Sequence, residues 1–219
     1  MKIFLDLDGT LIDSRTRLHR LFLVLSGLDT TFEAYWEEKR AYRSNQWLLE
    51  RAGWSTEAIS NFLRQWMAQI ESWEYLLLDH LYPGVDEALK GLSEDADLYI
   101  VTARQSKIHL DQQLQHLGIA VHFAAVLNTA QRNEKSVLIK SAGIDLSPGD
   151  FFIGDTGEDI ETGRKMNLTT IAVTCGFRNG DSLKNHSPDF IVEDFREAAR
   201  LILDLQSPPP SPSTTFIAP

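Results

Sequence analysis

Two carboxylates come directly after the first apolar segment of the chain. Asp6 and Asp8 follow residues 3–5 (IFL), and Gly9 comes next. Gly9 permits a turn that brings both carboxylates to one site at the carboxyl end of the strand, the edge at which ligands bind in open α/β sheets. Carboxylates gathered there repel one another and need a cation. Their hard oxygen ligands favour Mg²⁺, which uses one or two carboxylates together with a phosphate.

A second acidic cluster repeats this layout at residues 154–159 (GDTGED). Asp155 stands at the end of another predicted strand, and Asp159 lies four residues on, in the first turn of the following helix. An aspartate at the start of a helix is as readily a cap, worth about 1 kcal/mol. Two strand-end clusters in one chain favour a functional site over two independent caps.

Six short apolar runs, rich in β-branched and aromatic residues, predict the strands that position these groups. The runs do not alternate with polar residues, which is typical of buried parallel strands. Helical patterns separate most of them, so the sequence predicts a doubly wound α/β sheet. The runs are residues 2–7, 98–102, 124–127, 151–153, 170–173 and 190–192, with a closing helix over residues 194–205.

A long helical region after the first strand interrupts this rhythm. Apolar residues recur at helical spacing over residues 18–25 and 59–70, residues 31–52 form a third helical stretch, and no strand is predicted here. All five tryptophans lie in this region, where most of them are expected to pack a small helical bundle. The predicted division is residues 1–13 and 82–206 for the core, 14–81 for an inserted helical subdomain and 207–219 for a tail.

The overall composition argues against several classes of protein. With 43% hydrophobic and 24% charged residues the composition is ordinary and globular, and the net charge of −10 argues against nucleic-acid binding. No apolar run approaches the ~20 residues of a membrane helix, and the carboxylate of Asp6 arrives too early for a signal peptide. The single Cys175 fits a reducing compartment, so we expect a cytoplasmic location.

The tail and the assembly state are less informative. Residues 207–219 hold five of the eight prolines and no charge, which predicts a disordered tail without a chemical role. The sequence does not indicate an oligomeric state.

Four segments in order resemble the motifs of the haloacid dehalogenase-like superfamily. Residues 6–14 (DLDGTLIDS) resemble motif I, Thr102 resembles motif II, Lys135 resembles motif III and residues 154–159 resemble motif IV. The similarity extends from residue 3 to about 195. The helical insertion resembles the C1 cap of the phosphoglycolate phosphatase and β-phosphoglucomutase branch. The resemblance implies a Rossmann-like core with an inserted helical cap.

The resemblance also implies roles for the acidic residues. Asp6 would attack phosphorus and form an aspartyl-phosphate. Asp8 would protonate the leaving oxygen and later accept a proton from the attacking water. Mg²⁺ would be held by the carboxylates of Asp6 and Asp155 and by the backbone carbonyl of Asp8. Asp159 would orient Lys135 or a metal-bound water.

On the phosphate side, the resemblance implies a hydroxyl and a cation. Thr102 would donate its hydroxyl to a phosphate oxygen, and Lys135 would supply a positive charge. Lys140 competes with Lys135, because Ser136 stands where a proline often follows the lysine of the family. We further expect five residues at the substrate: Gly9, Thr10, Ala103, Arg104 and Arg43.

Arg43 belongs to a basic cluster on one helix of the insertion, together with Lys39 and Arg40. A cap that closes over an anionic substrate needs such groups. The alternative is a solvated helix face, with Arg40 lying over Trp36 four residues before it.

Asp8 narrows the chemistry that the resemblance implies. The dehalogenases and phosphonatases of the superfamily lack an aspartate at this position, because they do not protonate a phosphate-ester leaving group. We expect a Mg²⁺-dependent phosphatase acting on a small phosphorylated metabolite. A phosphomutase acting on a sugar phosphate shares every residue named. A catalytically idle binding protein is the third alternative, although it would be expected to have lost an acidic motif residue.

Overall fold

The computed structural model describes residues 1–206 and contains one parallel sheet of six strands and a short two-stranded sheet. The large sheet has the order β5-β4-β1-β6-β7-β8, and every neighbouring pair is parallel. β2 and β3 pair antiparallel. In chain order the strands are Lys2–Leu5 (β1), Ile12–Asp13 (β2), His80–Leu81 (β3), Asp97–Thr102 (β4), Phe123–Asn128 (β5), Phe151–Gly154 (β6), Thr169–Val173 (β7) and Phe190–Val192 (β8).

Five helices lie between β2 and β3, and we call Arg15–Leu76 the helical insert. The remaining helices flank the large sheet. In chain order the helices are Arg15–Ser26 (α1), Phe32–Arg40 (α2), Asn45–Arg51 (α3), Thr56–Gln69 (α4), Trp73–Leu76 (α5), Val85–Ser93 (α6), Lys107–His116 (α7), Lys135–Ser141 (α8), Gly157–Lys165 (α9), Gly180–Lys184 (α10) and Phe195–Gln206 (α11). A 3₁₀ turn at Ala120–His122 precedes β5.

Apolar side chains pack on both faces of the sheet. Helices α6, α7 and α11 cover one face, where Leu89, Leu110 and Phe195 pack with β1 and β4. On the other face, Phe4 stacks with Tyr99 at 5.0 Å between ring centroids, and Ile139 of α8 joins the same cluster. A parallel sheet with helices on both faces confirms the predicted doubly wound α/β fold.

The register of the central strands aligns their carboxyl ends. Leu5 of β1 lies opposite Ile100 of β4 and Ile153 of β6. Residues that follow these strands therefore meet at one edge of the sheet. Asp6 comes one residue after Leu5, and Asp155 comes two residues after Ile153. The candidate site depends on this closeness of Asp6 and Asp155.

The insert differs from the sequence prediction in two respects. Residues 31–52 are two helices rather than one stretch, because the chain turns at Tyr42 (φ +63°) and Ser44 caps the new helix with its side chain. A strand also occurs where none was predicted: His80 and Leu81 pair with β2. Two residues are too short to give an apolar run in the sequence.

The tryptophans divide between the insert and its contact with the core. Trp54 and Trp66 pack with Phe62 inside the insert, as expected for a small helical bundle. Trp36 instead lies 5.2 Å from the ring of Phe177 in the core, and Trp73 is 37% exposed. Aromatic packing therefore contributes both to the insert and to its contact with the core.

Three sequence predictions are left open by the fold. The division into cap and core at residues 13/14 and 81/82 stays a prediction, as does the cytoplasmic location. The predicted tail, residues 207–219, lies outside the described residues. Within residues 1–206, none of the helices combines the length and apolarity that crossing a bilayer requires.

We expect Leu5→Ala to lower the free energy of unfolding by about 2–5 kcal/mol, because it opens a cavity in the central strand beside the site. Leu5 has no exposed surface. Val121, which is 84% exposed, provides the control: Val121→Ala should change the unfolding free energy by less than about 0.5 kcal/mol. Equal effects in urea titrations would contradict the assigned core.

Candidate active site

Asp6, Thr102 and Asp155 meet where three adjacent strands end. Asp6 follows β1 and donates its backbone N–H to the carbonyl oxygen of Ile153 at 2.9 Å. Thr102 is the last residue of β4, and Asp155 follows β6. All three side chains are buried. The strand register therefore brings together residues that are up to 149 positions apart in the sequence.

A tight turn after Asp6 depends on Gly9. The carbonyl oxygen of Leu7 accepts from the backbone N–H groups of Leu11 and Ile12, both at 3.0 Å. Gly9 has φ +87°, and a Cβ there would lie 2.4 Å from Asp155 Oδ2. Only glycine satisfies both requirements, since other residues rarely adopt this φ and any side chain would collide with Asp155.

Thr10 also faces the acidic cluster. Its Oγ1 donates to Asp155 Oδ1 at 3.4 Å, and the other oxygen of Asp155 accepts from the backbone N–H of Phe177 at 2.5 Å. Gly9 and Thr10, both expected at the substrate, thus contact Asp155 in this structure. Their expected contact with substrate stays a prediction.

Three buried carboxylates surround one lysine. Asp6, Asp155 and Asp159 each offer a carboxylate oxygen, and these oxygens lie within 4.8 Å of one another. Lys135 Nζ lies 2.5 Å from Asp6 Oδ1 and 2.6 Å from Asp159 Oδ1. Lys135 opens α8, whereas Lys140, its sequence competitor, is exposed. The structure thus brings Lys135 to the acidic cluster and leaves Lys140 outside it.

The charges of this cluster are not balanced by Lys135 alone. Burial raises the pKa of Asp6 to about 7, although Lys135 opposes the shift. Burial, together with repulsion from Asp6 and Asp159, raises the pKa of Asp155 well above its usual value. Burial also disfavours the charge of Lys135, but its ion pairs with Asp159 and Asp6 outweigh this and raise its pKa. The donor set of buried carboxylates therefore fits a divalent cation, which would offset the excess negative charge.

Asp159 is held on several sides. Its Oδ2 accepts from Thr156 Oγ1 at 2.6 Å and from the Thr156 backbone N–H at 3.0 Å, which forms the capping box of α9. Its Oδ1 accepts from Lys135. Asp159 therefore caps a helix and contacts Lys135, and orientation of Lys135 was one of the two roles expected for it.

Asp8 lies apart from the three carboxylates, between two arginines. Its Oδ1 accepts from Arg17 Nη2 at 2.6 Å and from Arg104 Nη2 at 2.8 Å, and its Oδ2 accepts from Arg104 Nε at 2.5 Å. Burial would raise the pKa of Asp8, but Arg104 and Arg17 outweigh it and lower that pKa to about 2. In this state Asp8 is an ion-paired carboxylate.

Arg17 was not identified from the sequence. It lies on α1 of the insert, is 3% exposed, and also donates to Asp79 Oδ1 at 3.0 Å and to the carbonyl oxygen of Ile70 at 2.9 Å. Arg15 and Arg20 lie on the same helix, so the residue type alone did not distinguish Arg17 from its neighbours. The one available signal is that Arg17 precedes Leu21 by four residues, on the apolar face.

Glu71 is a second residue that the sequence analysis missed. It follows α4, and its carboxylate accepts from the backbone N–H of Gln105 at 2.8 Å and of Ser106 at 2.9 Å. These bonds tie the helical insert to the loop that follows Thr102. No spacing in the sequence relates Glu71 to that loop.

A cavity of about 270 Å³ connects these groups. Its core side includes Asp6, Thr102, Ala103 and Lys135, and its far wall belongs to the insert. That wall combines four apolar side chains with two charged ones: Leu18, Trp66, Met67 and Ile70, together with Arg17 and Glu71. The insert therefore forms one wall of a cavity that lies over the strand ends.

Arg43 lies outside this cavity. Its side chain is exposed in the turn between α2 and α3, and its guanidinium carbon lies 4.7 Å from the ring centroid of Trp47. The helix break at Tyr42 removes Arg43 from the helical face on which it was expected. Arg40 donates to the carbonyl oxygen of Thr174 rather than lying over Trp36, whose ring Arg15 faces at 5.7 Å.

Comparison with known proteins agrees with this geometry. Residues 3–173 match the family described as haloacid dehalogenase-like hydrolase. The phosphoglycolate phosphatase of Synechococcus elongatus is 26% identical over 198 residues, which cover 87% of this chain and 92% of that protein. The pyrophosphatase PpaX of Oceanobacillus iheyensis is 25% identical, with 92% of this chain and 96% of that protein covered.

The fold has a solved counterpart. A haloacid dehalogenase-like family hydrolase of Streptococcus pneumoniae superposes with a TM-score of 0.76 at 24% identity, covering 91% of this chain and 97% of that one. This chain belongs to the haloacid dehalogenase-like hydrolase family.

Lys135→Met should lower the free energy of unfolding by about 3 kcal/mol in metal-free buffer, since it leaves two buried carboxylates without their cation. Lys140→Met, which removes an exposed lysine of the same helix, should change that free energy by less than about 0.5 kcal/mol. Thermal and urea unfolding measure both variants. Equal stability of the two variants would contradict the pairing of Lys135 with the cluster.

Proposed function

We propose that this chain is a Mg²⁺-dependent phosphatase that hydrolyses a small phosphate ester through a phosphorylated Asp6. The observation that carries the proposal is the position of Lys135 Nζ, 2.5 Å from Asp6 and 2.6 Å from Asp159, in a cavity that Thr102 also lines. A nucleophilic carboxylate beside a phosphate-binding cation and hydroxyl is the arrangement that phosphoryl transfer through an enzyme aspartate requires.

The carboxylates of Asp6 and Asp155 and the backbone carbonyl of Asp8 would hold the cation. When bound, Mg²⁺ supplies charge neutralisation for the transferred phosphoryl group and the anionic nucleophile. The pKa values of Asp6 and Asp155 are raised because burial and repulsion from neighbouring carboxylates disfavour their negative charges. A bound cation would offset that cost and keep both carboxyls ionised, which supports the assignment.

In the first step, an oxygen of Asp6 attacks phosphorus and the bond from phosphorus to the leaving oxygen breaks. Lys135 and the hydroxyl of Thr102 bind the phosphoryl oxygens and stabilise the charge that they carry. Asp8 donates a proton to the leaving oxygen. In the second step Asp8 accepts a proton from water, which attacks phosphorus and releases phosphate from Asp6.

The environment of Asp8 sets its charge before substrate binds. With a pKa of about 2, Asp8 is ionised at neutral pH, and its two arginine partners make it a weak base. For either task it must lose part of its contact with Arg17 and Arg104, and to act as the acid of the first step it must also take up a proton from solvent. Arrival of an anionic substrate provides competing acceptors for both arginines.

The cavity favours a small substrate. Its volume of about 270 Å³ lies below the roughly 300–1,000 Å³ of pockets that hold drug-sized ligands. Phosphoglycolate and pyrophosphate are the first substrates to test, since relatives of this chain carry those names.

We expect Asp6→Asn to reduce Mg²⁺-dependent release of phosphate from p-nitrophenyl phosphate by at least about 1,000-fold, because an amide is not a competent nucleophile here. Asp145→Asn, which alters an exposed aspartate, is the matched control and should keep its activity. An Asp6→Asn variant that still hydrolysed p-nitrophenyl phosphate would contradict the proposal. So would a wild-type protein that hydrolysed none of a broad panel of phosphate esters.

Removal of Mg²⁺ with a chelator should abolish that activity, and added Mg²⁺ should restore it. Isothermal titration calorimetry on the substrate-free protein should detect Mg²⁺ binding that Asp155→Asn weakens by about 10-fold or more, since it loses one charged ligand. Asp145→Asn again serves as control. Unchanged Mg²⁺ affinity in Asp155→Asn would exclude Asp155 from the metal site.

A further inference from the structure

The loop between β7 and α10 lies against the acidic cluster, and we call its residues 174–178 (TCGFR) the β7 loop. Among residues 1–206, two donors reach the carboxylate of Asp155: Thr10 Oγ1 at 3.4 Å and the backbone N–H of Phe177 at 2.5 Å. The shorter of these bonds comes from the β7 loop. The loop therefore holds a carboxylate that the proposed Mg²⁺ site needs.

The β7 loop fits closely against Asp155. Gly176 is buried, and a Cβ on it would lie 2.2 Å from Asp155 Oδ2 and 2.3 Å from the carbonyl oxygen of Gly9. A Cβ on Gly9 would lie 2.7 Å from the ring of Phe177. Any side chain at position 176 would therefore have to displace Asp155 or the backbone of the turn at Gly9.

Phe177 is the residue through which the β7 loop meets the helical insert. Its backbone N–H faces Asp155, while its ring lies 5.2 Å from the ring of Trp36 on α2. Trp36 is only 6% exposed, so this aromatic contact is buried between the insert and the core. Because closely packed rings have few available arrangements, the position of Trp36 restricts the position of Phe177.

Two hydrogen bonds attach the ends of the β7 loop to the same helix. Arg40 Nη2 donates to the carbonyl oxygen of Thr174 at 3.2 Å. At the other end, Arg178 Nη1 donates to the carbonyl oxygen of Lys39 at 2.6 Å. The guanidinium carbon of Arg178 also lies 3.6 Å from the ring centroid of Tyr42, two residues after α2. The insert thus contacts both ends of the loop as well as its aromatic residue.

We propose that the β7 loop orients the carboxylate of Asp155 for the cation, and that Trp36 is a positioning residue that acts through Phe177. Groups that hydrogen-bond to a metal ligand orient it, and their loss weakens metal binding by about 10- to 100-fold. Trp36 acts one contact further from the carboxylate, so its loss should weaken binding less. This inference rests on the proposed function, because it takes Asp155 as a ligand of Mg²⁺.

Removal of the N–H of Phe177 alone is the most direct test. Replacing Phe177 by 3-phenyllactic acid keeps the side chain and exchanges the N–H for an ester oxygen. We expect the Mg²⁺ affinity of the substrate-free protein, measured by isothermal titration calorimetry, to fall by about 10-fold. The control is the same replacement at Phe32, whose N–H donates no hydrogen bond within the described residues because it opens α2. It should change the affinity by less than about 2-fold.

Substitutions of tryptophan test whether the insert acts on the metal site. Trp36→Leu should weaken Mg²⁺ binding by about 3- to 10-fold, and Trp36→Phe, which keeps an aromatic ring beside Phe177, should restore most of that loss. Trp73→Leu removes another tryptophan of the insert, whose ring lies 5.5 Å from His116 of the core, and should change the affinity by less than about 2-fold. Unfolding in metal-free buffer reports the stability of each variant separately from its affinity.

A glycine pair tests the fit of the loop against Asp155. Gly176→Ala should weaken Mg²⁺ binding by about 10-fold or more, because the added Cβ displaces the carboxylate. Gly180→Ala is the matched control, since a Cβ there meets nothing closer than Thr174 at 3.6 Å. Its Mg²⁺ affinity should equal that of the wild type.

The outcomes separate this inference from the function on which it rests. A wild-type protein that binds no Mg²⁺ would overturn the metal site itself. Weaker binding in Asp155→Asn, with unchanged binding in the ester at position 177, would overturn the role of the β7 loop and leave the metal site standing. Equal affinities in Trp36→Leu and Trp73→Leu would overturn the role of Trp36. If Trp36→Leu fails to fold, the ester and Gly176→Ala decide the question.

Discussion

Burial of negative charge at one edge of the sheet is the constraint on which the rest of this structure depends. Asp6, Asp155 and Asp159 are buried, and Lys135 is the one cation that contacts two of them directly among the described residues. An isolated buried carboxylate is expensive, so the surrounding groups are explained by how they offset its charge. The capping box of α9, the N–H of Phe177 and the proposed Mg²⁺ all serve that need.

A second electrostatic network joins the helical insert to the core. Arg17 and Asp79 come from the insert and the segment that follows it, and they contact Asp8 and Arg104 in the core. Glu71 adds bonds to the loop after Thr102. The contacts that join the insert to the core at the cavity are therefore the same contacts that surround the proposed proton donor.

The sheet and the strand-end residues could be predicted because both follow from local pattern. Buried parallel strands appear as short apolar runs, and their carboxyl ends share an edge, which predicts that Asp6 and Asp155 lie together. Thr102 was predicted to join them only through its resemblance to motif II of the superfamily. Arg17 and Glu71 escaped prediction because their partners lie 9 to 62 and 34 to 35 residues away and local pattern does not encode such pairings. The break at Tyr42, which moved Arg43 away, depends on a turn that residue type does not signal.

Covalent phosphorylation of Asp6 is the central claim, and trapping of the intermediate tests it most directly. Borohydride reduces an aspartyl-phosphate to homoserine, so the protein is mixed with Mg²⁺ and a substrate that it turns over, reduced within the first turnover, digested and mapped by mass spectrometry. We expect homoserine at residue 6 and nowhere else. Homoserine at residue 8 would contradict the account. So would release of phosphate during the first turnover with no homoserine trapped at residue 6.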